Sequence, residues 1–206
     1  MGHRLVNSAN CKPKDQGEAI EHYLQNPLRC QNVSEFDRMK SAVYPGSFDP
    51  FTNGHLDIVN RALKVVDEIT IAVLNNSSKK NLFTPGERVE LIQQVFARHE
   101  RVKVDQFSGL LVDYCRSNGK TIVVRGLRTV NDFDYEHAIS LVNQKLFPEF
   151  ETMFLMAKAE FSFISSSIVK EVASLGGNID EHVPLEISQK LKQVYNVDIA
   201  RHPKKY

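Results

Sequence analysis

From Met39 onward the chain alternates between short apolar runs and longer amphipathic stretches. The runs at residues 69–74, 102–107, 121–124 and 152–156 are typical of strands, and a further strand begins at Met39. Between the runs, apolar side chains recur at the spacing of a helix with one buried face. The predicted helices are residues 55–66, 85–97 with Thr84 as its N-cap, 110–117, 134–146, 168–175 and 185–194.

Strands that alternate with helices of this length favour a parallel sheet with right-handed crossovers. The predicted fold class is α/β: a Rossmann-like, doubly wound sheet of five parallel strands, with helices on both faces and a C-terminal helical segment. In such sheets a ligand binds beyond the carboxyl ends of the strands.

The stretch 44–55, YPGSFDPFTNGH, joins the first strand to the first helix. Gly46 has no Cβ and lets the main chain approach an anion closely, and Thr52 or Asn53 is expected to cap the helix. His55 then falls in the first helical turn, where free N–H groups and the positive end of the helix dipole favour an anion. This stretch is predicted to bind phosphate, although it is neither a P-loop nor a GxGxxG turn.

Three other polar segments are expected near the same edge of the sheet. Residues 75–80, NNSSKK, and residues 125–128, RGLR, each follow a predicted strand. Residues 165–167 are three consecutive serines before a helix, which is a second candidate anion site.

The motif Thr52-Asn53-Gly54-His55 matches the [HT]xGH signature of the nucleotidylyltransferase superfamily position for position. Within that superfamily, residues 39–194 resemble the phosphopantetheine adenylyltransferase family of bacterial coenzyme A synthesis. The resemblance is carried by YPGSFDPFTNGH, SSKKNLFTPGERV, VVRGLRTVNDFDYE and FSFISSSIVKEV. It implies transfer of AMP from ATP to 4′-phosphopantetheine, which gives dephospho-coenzyme A and pyrophosphate.

A phosphate monoester that attacks ATP is already an anion, so this reaction needs positioning and charge stabilisation more than a strong base. The sequence offers hydroxyls and cations for this purpose, and no Ser-His-Asp arrangement that would indicate hydrolysis. No protein metal ligand is predicted, because Asp49 and Asp57 lack metal-ligand spacing. Mg²⁺ is expected to bind mainly through the ATP phosphates.

The resemblance also implies roles for individual residues. The catalytic group would be His55, Ser47, Lys79 and Arg128, in which His55 donates to the α-phosphate. Phosphopantetheine would be bound by Ser47, Lys79, Leu111 and Arg125. ATP would be contacted by Ser47, Phe48, His55, Gly126, Leu127, Arg128, Glu136, Phe161, Ser162, Phe163, Ile164, Ser165, Ser166 and Ser167.

Some of these residues have ordinary structural alternatives. Lys79 is also read as an exposed loop lysine, and Glu136 equally as a solvated helix residue. The two arginines of RGLR could instead pair with Asp132, Asp134 or Glu136, which we consider the weaker interpretation for two arginines at a strand end. Phe161 stands where the family often has tryptophan beside the adenine, and keeps a flat apolar surface.

Three rival functions stay open at this stage. A sister nucleotidylyltransferase acting on nicotinamide mononucleotide, or on glycerol phosphate with CTP, would keep TNGH and a hydroxyl-rich helix start. A nucleotide sensor on the same fold would show a damaged motif, and no motif here is damaged. An RNA-binding module is disfavoured by the formal net charge of +1 and by the lack of an aromatic-basic repeat.

The bulk properties are those of a globular chain of 206 residues. No apolar run is long enough to span a bilayer, and no nucleic-acid or membrane partner is predicted. Three cysteines without CxxC spacing fit a reducing cytoplasm. Residues 1–38 are polar, and we interpret them as an N-terminal extension, disordered or tag-derived, before a nucleotidylyltransferase domain at 39–206.

The resemblance implies a homohexamer and feedback inhibition by coenzyme A. The sequence is compatible with the hexamer, because a short region from the predicted helix 134–146 into the fifth strand is crowded with large apolar side chains. One helix-strand unit can bury only part of this set in its own core. The set is Leu141, Leu146, Phe147, Phe150 and Phe154.

Overall fold

The computed structural model describes residues 39–76 and 80–195. The predictions for residues 1–38 and for Lys79 lie outside the described residues. No helix within the described residues is long and apolar enough to cross a membrane.

Five parallel strands form one sheet in the described part of the chain, in the order β3-β2-β1-β4-β5. Strand β1 is central: Val43 pairs with Thr70 on one side and with Val123 on the other. The chain first builds outward from β1 to β3 and then crosses back to β4, so the topological switch point lies between β1 and β4. The strands are β1 (Ser41–Gly46), β2 (Glu68–Leu74), β3 (Val102–Phe107), β4 (Ile122–Leu127) and β5 (Glu151–Met156).

Helices connect these strands on both faces of the sheet, as the sequence predicted. A short 3₁₀ turn, Ala159–Phe161, follows β5 and precedes the C-terminal helical segment. The helices are α1 (Asn53–Ala62), α2 (Pro85–Val95), α3 (Leu111–Ser117), α4 (Val130–Leu146), α5 (Ser166–Ser174) and α6 (Leu185–Val194).

The main hydrophobic core lies between the sheet and helices α1, α2, α5 and α6. It is built on the strand positions that alternate toward one face, such as Ile69, Ile71 and Val73 of β2. A smaller cluster on the opposite face contains Val43 and Ala72 with Val112 and Cys115 of α3. Successive residues of β2 thus point alternately into the two clusters, and this explains why the apolar run in β2 is continuous.

Several element boundaries differ from those predicted. Helix α1 ends at Ala62 rather than at residue 66. The N–H groups of Lys64 and Val65 bond only three residues back, as that of Val65 does to the carbonyl of Ala62. Strand β4 continues to Leu127, because Gly126 still pairs with Leu155 of β5. Helix α4 begins four residues early, at Val130, where Thr129 and Asp132 close a capping box that the sequence reading missed.

No residue of helix α4 is fully buried within the described chain. Leu141 and Leu146 are each 50% exposed, whereas Phe150 is 2% exposed and belongs to the smaller core cluster. The crowded apolar set therefore divides into an intramolecular part and a surface part. The surface also includes Val142 and Met156.

Candidate active site

A cavity of about 410 Å³ lies at the switch point, where β1 and β4 end. The loop after β1, the end of β4, the first turns of α4 and the start of α5 all contribute to its wall. The lining residues are Tyr44, Pro45, Gly46, Phe48, His55, Arg125, Gly126, Arg128, Asn131, Asp132, Tyr135, Glu136, Ile164, Ser165 and Ser166.

The loop after β1 curls tightly around the side chain of Phe48. Phe48 has a left-handed backbone, with φ of 49°, and its side chain is buried. A Cβ on Gly46 would come within 2.8 Å of the Phe48 ring. Glycine at position 46 is therefore required by a neighbouring ring, a reason other than the close approach of an anion that the sequence suggested.

Helix α1 begins with a capping box in which the reciprocal side chain is a histidine. The Thr52 N–H donates to Nδ1 of His55 over 3.0 Å, and the Thr52 hydroxyl accepts from the His55 N–H. Because Nδ1 acts as an acceptor, the neutral ring carries its proton on Nε2. Of the two capping residues predicted, Thr52 is the one used.

The ring of His55 sits among aromatic side chains at the wall of the cavity. Its centroid lies 5.1 Å from that of Phe48 and 5.4 Å from that of Phe51. Burial, together with the positive charge of Arg128, lowers the pKa of His55 from 6.5 to about 4. At neutral pH the ring is thus uncharged and can offer its Nε2–H as a hydrogen-bond donor.

Arg125 is held by two partners at the end of β4. Two of its guanidinium nitrogens donate to the carboxylate of Glu136, Nε over 2.7 Å and Nη2 to the other carboxylate oxygen. A third bond, at 2.9 Å, runs from Nη1 to the carbonyl of Pro45. The ion pair that the sequence reading had considered the weaker interpretation is therefore present, and Glu136 is not a freely solvated helix residue.

Arg128 makes a looser pair with Asp132 over 3.3 Å, and its side chain is 42% exposed. Asp132 also accepts from the backbone N–H groups of Arg128 and Thr129. Here too the ion pair that was considered the weaker interpretation is found, between Arg128 and the first turn of α4. The pairing holds a cation at the cavity wall without burying it.

The three serines at the start of α5 differ in their surroundings. Ser165 caps the helix by accepting from the Ile168 N–H over 3.2 Å, and the Ser166 hydroxyl donates to the carbonyl of Pro50 over 2.8 Å. Ser167 is exposed. The Ser165 hydroxyl thus caps α5, and the Ser166 hydroxyl links α5 to the loop after β1. Both residues line the cavity.

Comparison with known proteins points in one direction. The family model described as Cytidylyltransferase-like matches residues 43–172. The phosphopantetheine adenylyltransferase of Leptospira biflexa serovar Patoc (strain Patoc 1 / Ames) is 56% identical over 160 residues, which are 77% of this chain and 100% of that protein. The enzymes of the same name from Alkaliphilus metalliredigens and Geobacter metallireducens are 48% and 50% identical, over 75% and 76% of this chain and 99% and 96% of their own lengths.

The chain belongs to the phosphopantetheine adenylyltransferase family. This membership confirms the resemblance drawn from the motifs, and it makes the chain a nucleotidyltransferase rather than a nucleotide sensor or an RNA-binding module.

Several residues that the family resemblance singled out do not line the cavity in the described structure. Leu127 is 2% exposed, and its carbonyl accepts from the Ala157 N–H. Leu111 opens α3 and packs against the smaller core cluster. Phe161 packs against the main core beside Gly54. The others are Ser47, Ser162, Phe163 and Ser167, while Lys79 lies outside the described residues.

Two lining residues, Asn131 and Tyr135, were missed by sequence reasoning, and a third, Tyr44, was given no role of its own. Tyr44 opens the stretch predicted to bind phosphate, and only the tertiary structure shows that its ring centroid lies 6.3 Å from that of His55. Burial raises the pKa of Tyr44, so the phenol stays protonated at neutral pH. Asn131 lies on the first turn of α4, which the predicted helix starting at residue 134 left in a loop, whereas Tyr135 lies inside that predicted helix and was given no role.

Asp49 and Asp57, which sequence spacing excluded as metal ligands, are both buried and both paired with cations. Asp49 accepts from Lys170 over 2.7 Å and from the N–H groups of Leu82 and Phe83, each over 2.9 Å. Burial alone would raise the pKa of Asp49, but these hydrogen bonds lower it overall. Asp49 thereby joins the β1 loop to α5 and to the segment that leads into α2.

A second and larger cavity, of about 590 Å³, lies on the outer part of the sheet around the start of β3. Its carboxylates already have hydrogen-bond partners within the cavity wall. Glu68 accepts from Lys103 and Lys120, and Asp105 accepts from the Tyr114 hydroxyl. This cavity lies away from the loop after β1 and contains none of the residues that the family resemblance singled out.

Proposed function

We propose that this chain transfers the adenylyl group of ATP to 4′-phosphopantetheine. A terminal phosphate oxygen of phosphopantetheine attacks the α-phosphorus of ATP in line, and a new P–O bond forms. The bond from the α-phosphorus to the oxygen that bridges to the β-phosphorus breaks, and pyrophosphate leaves with that electron pair. The products are dephospho-coenzyme A and pyrophosphate, and no covalent enzyme intermediate forms.

The proposal rests on the tautomer of His55 at the wall of the cavity, in which the ring proton is on Nε2. The Thr52 N–H occupies Nδ1, so Nε2–H is the donor that the ring offers to a ligand. A neutral donor suits this reaction because the attacking phosphate is already an anion and needs no base. His55 would donate to the α-phosphate oxygens as negative charge builds there.

The cations at the cavity would bring the two anionic substrates together. Arg125 would hold phosphopantetheine, and Arg128 the β- and γ-phosphates, because a planar guanidinium matches phosphate oxygens. Their present partners, Glu136 and Asp132, fix their orientation. Lys79 would add a further positive charge. ATP would enter with Mg²⁺ on its phosphate oxygens, as part of the substrate.

The remaining contacts follow the family resemblance. Ser47 and the N–H of Phe48 would bind the attacking phosphate, and the backbone of Gly126 and Leu127 would approach the nucleotide. The start of α5 supports a triphosphate site, because the N–H groups of Ser166 and Ser167 donate to no acceptor among the described residues. The adenine would lie near Phe161, Ser162, Phe163 and Ile164, and the pantetheine arm near Leu111.

We further propose that six copies assemble into a closed particle. Coenzyme A is proposed to inhibit the reaction by competing for the site. The enzyme is also proposed to work in the cytoplasm. The apolar part of α4 that the single chain leaves exposed supports assembly. The cysteine pattern supports the compartment, since Cys115 is a free, buried thiol.

The test is to incubate the purified chain with ATP, Mg²⁺ and 4′-phosphopantetheine and to identify the products by mass. Dephospho-coenzyme A and pyrophosphate should form in equal amounts, and nicotinamide mononucleotide should be inert as an acceptor. Formation of NAD at a comparable rate, or no product with phosphopantetheine, would refute the proposal.

A further inference from the structure

Arg88 of α2 is a buried cation that bonds only to backbone carbonyls. Its side chain is among the largest that the structure fully buries, with 1% of the residue exposed. Nη1 donates to the carbonyl of Ser47 over 2.5 Å and to that of Leu74 over 3.2 Å, and Nε donates to the carbonyl of Thr84 over 3.4 Å. Nη2 has no hydrogen-bond partner among the described residues.

The carboxylate of Asp49 interacts favourably with the charge of Arg88. A buried cation with one unsatisfied nitrogen is nevertheless costly, so its presence calls for a reason beyond packing. Arg88 does not line the cavity, and so it is not placed to contact a substrate. The Ser47 carbonyl, its shortest contact, belongs to the loop that does line the cavity. The reason is therefore to be sought in what Arg88 does to that loop.

The carbonyl of Ser47 and the N–H of Phe48 belong to one peptide unit, which is trans. In a trans peptide the C=O and the N–H point in opposite directions. When Arg88 holds the carbonyl on the α2 side of the loop, the Phe48 N–H must point away from α2. Phe48 lines the cavity, and its N–H donates to no acceptor among the described residues.

The backbone around this peptide would otherwise have an alternative. Phe48 is held at φ of 49°, in a region that a bulky residue seldom adopts. A rotation of the Ser47–Phe48 peptide plane would exchange the directions of the C=O and the N–H. The packing of the Phe48 ring against Gly46 and His55 fixes the side chain, but the hydrogen bond from Arg88 fixes the peptide plane.

We propose that Arg88 is a positioning residue that orients the Ser47–Phe48 peptide so that the Phe48 N–H faces the anion site of the cavity. The inference rests on the proposed adenylyl transfer. A cation bonded to the carbonyl also polarises the peptide and makes its N–H a stronger donor. Arg88 therefore acts on the reacting phosphate through one backbone N–H, that of Phe48.

The first experiment compares Arg88→Met, which removes the bonds, with Arg88→Lys, which keeps the charge but cannot reach all three carbonyls. Loss of one preorganised donor at a reacting oxyanion lowers kcat by about 10²–10³-fold. We expect kcat of Arg88→Met to fall by about 10²-fold and that of Arg88→Lys by about tenfold, with KM for ATP changing less than about fivefold. The control is Arg101→Met, because Arg101 also bonds a carbonyl, that of Leu63, but far from the loop. It should keep wild-type kcat.

The second experiment removes the Phe48 N–H itself. Incorporating the α-hydroxy analogue of phenylalanine at position 48 replaces the amide by an ester and leaves the side chain unchanged. We expect the ester to lower kcat by about 10²-fold. Adding Arg88→Met to the ester should lower kcat by no more than about threefold further, because both changes remove the same donor.

Multiplicative losses in the doubly changed protein, or a kcat of Arg88→Met within about threefold of wild type, would overturn the inference. If Arg88→Met does not fold, the same cycle is run with Arg88→Lys and judged by the same criterion. The wild type is assayed first: no dephospho-coenzyme A from the wild type refutes the proposed function, whereas an active wild type with an insensitive Arg88 refutes only the positioning role.

Discussion

The guanidinium of Arg125 is paired with both carboxylate oxygens of Glu136, and this pair spans β4 and α4 at the cavity wall. If Arg125 binds phosphopantetheine, Glu136 acts through it by fixing its direction. We expect Arg125→Ala to raise KM for phosphopantetheine by about 10–100-fold, in line with the loss of a charged hydrogen-bonding group. Glu136→Gln alone should raise it less, and should add almost nothing in the Arg125→Ala background. Steady-state kinetics of the four proteins decide this, and additive effects would contradict it.

His55 is expected to act through Nε2, and two amide substitutions separate this nitrogen from Nδ1. Asparagine at position 55 can still accept from the Thr52 N–H and keep the capping box, but it has no donor where Nε2 lies. Glutamine extends an amide toward the Nε2 position. We expect His55→Asn to match His55→Ala, with kcat lower by about 10²-fold or more and KM for ATP within about tenfold. His55→Gln should retain clearly more activity, and equal activity of the two amides would count against the assignment.

The buried ring of His55 should make stability depend on pH. Its pKa is about 4 in the folded chain, against about 6.5 for an unperturbed histidine. The unfolded state therefore binds more protons between these values, so the free energy of unfolding falls as the pH drops from 6.5 to 4. The loss should reach roughly 3 kcal/mol at pH 4 and should vanish above pH 6.5.

Denaturant titrations of wild type and His55→Asn across this range provide the measurement. The difference between the two proteins isolates the ring, because their other titrating groups are the same. We expect that difference to change by roughly 3 kcal/mol between pH 7 and pH 4. Parallel pH profiles would show that the folded ring titrates like an exposed one.

The contact between Lys170 and Asp49 should contribute to stability more than an ordinary surface ion pair. Asp49 is 4% exposed, and losing Lys170 would leave a buried carboxylate with only the N–H groups of Leu82 and Phe83. We expect Lys170→Met to lower the free energy of unfolding by about 1.5–3 kcal/mol. Lys192→Met is the matched control, because its partner Asp180 is 51% exposed, and should cost less than about 1 kcal/mol. Equal effects of the two substitutions in urea titrations would argue against a special role for Asp49.

The exposed apolar side chains of α4 are expected to be covered by other copies of the chain. Light scattering coupled to size exclusion should give a particle of about six times the chain mass, as the closed symmetry of homo-oligomers allows. Leu141→Glu should reduce this mass, because it places a charge on the apolar surface of α4. Leu175→Glu, at an 81% exposed position on the end of α5, should leave it unchanged. A fully active wild-type monomer would refute the assembly.

The sequence by itself determined the order and type of the elements, the parallel sheet and the family. Hydrophobic period, capping residues and turn residues act over a few positions, and the TNGH, RGLR and serine motifs carry their chemistry locally. What only the tertiary structure decided depends on contacts between distant residues. Arg88 reaches the carbonyl of Ser47, 41 positions away, and Lys170 reaches Asp49, 121 positions away. No local pattern reports such pairs, because a buried charge is tolerated only where the fold brings it a partner.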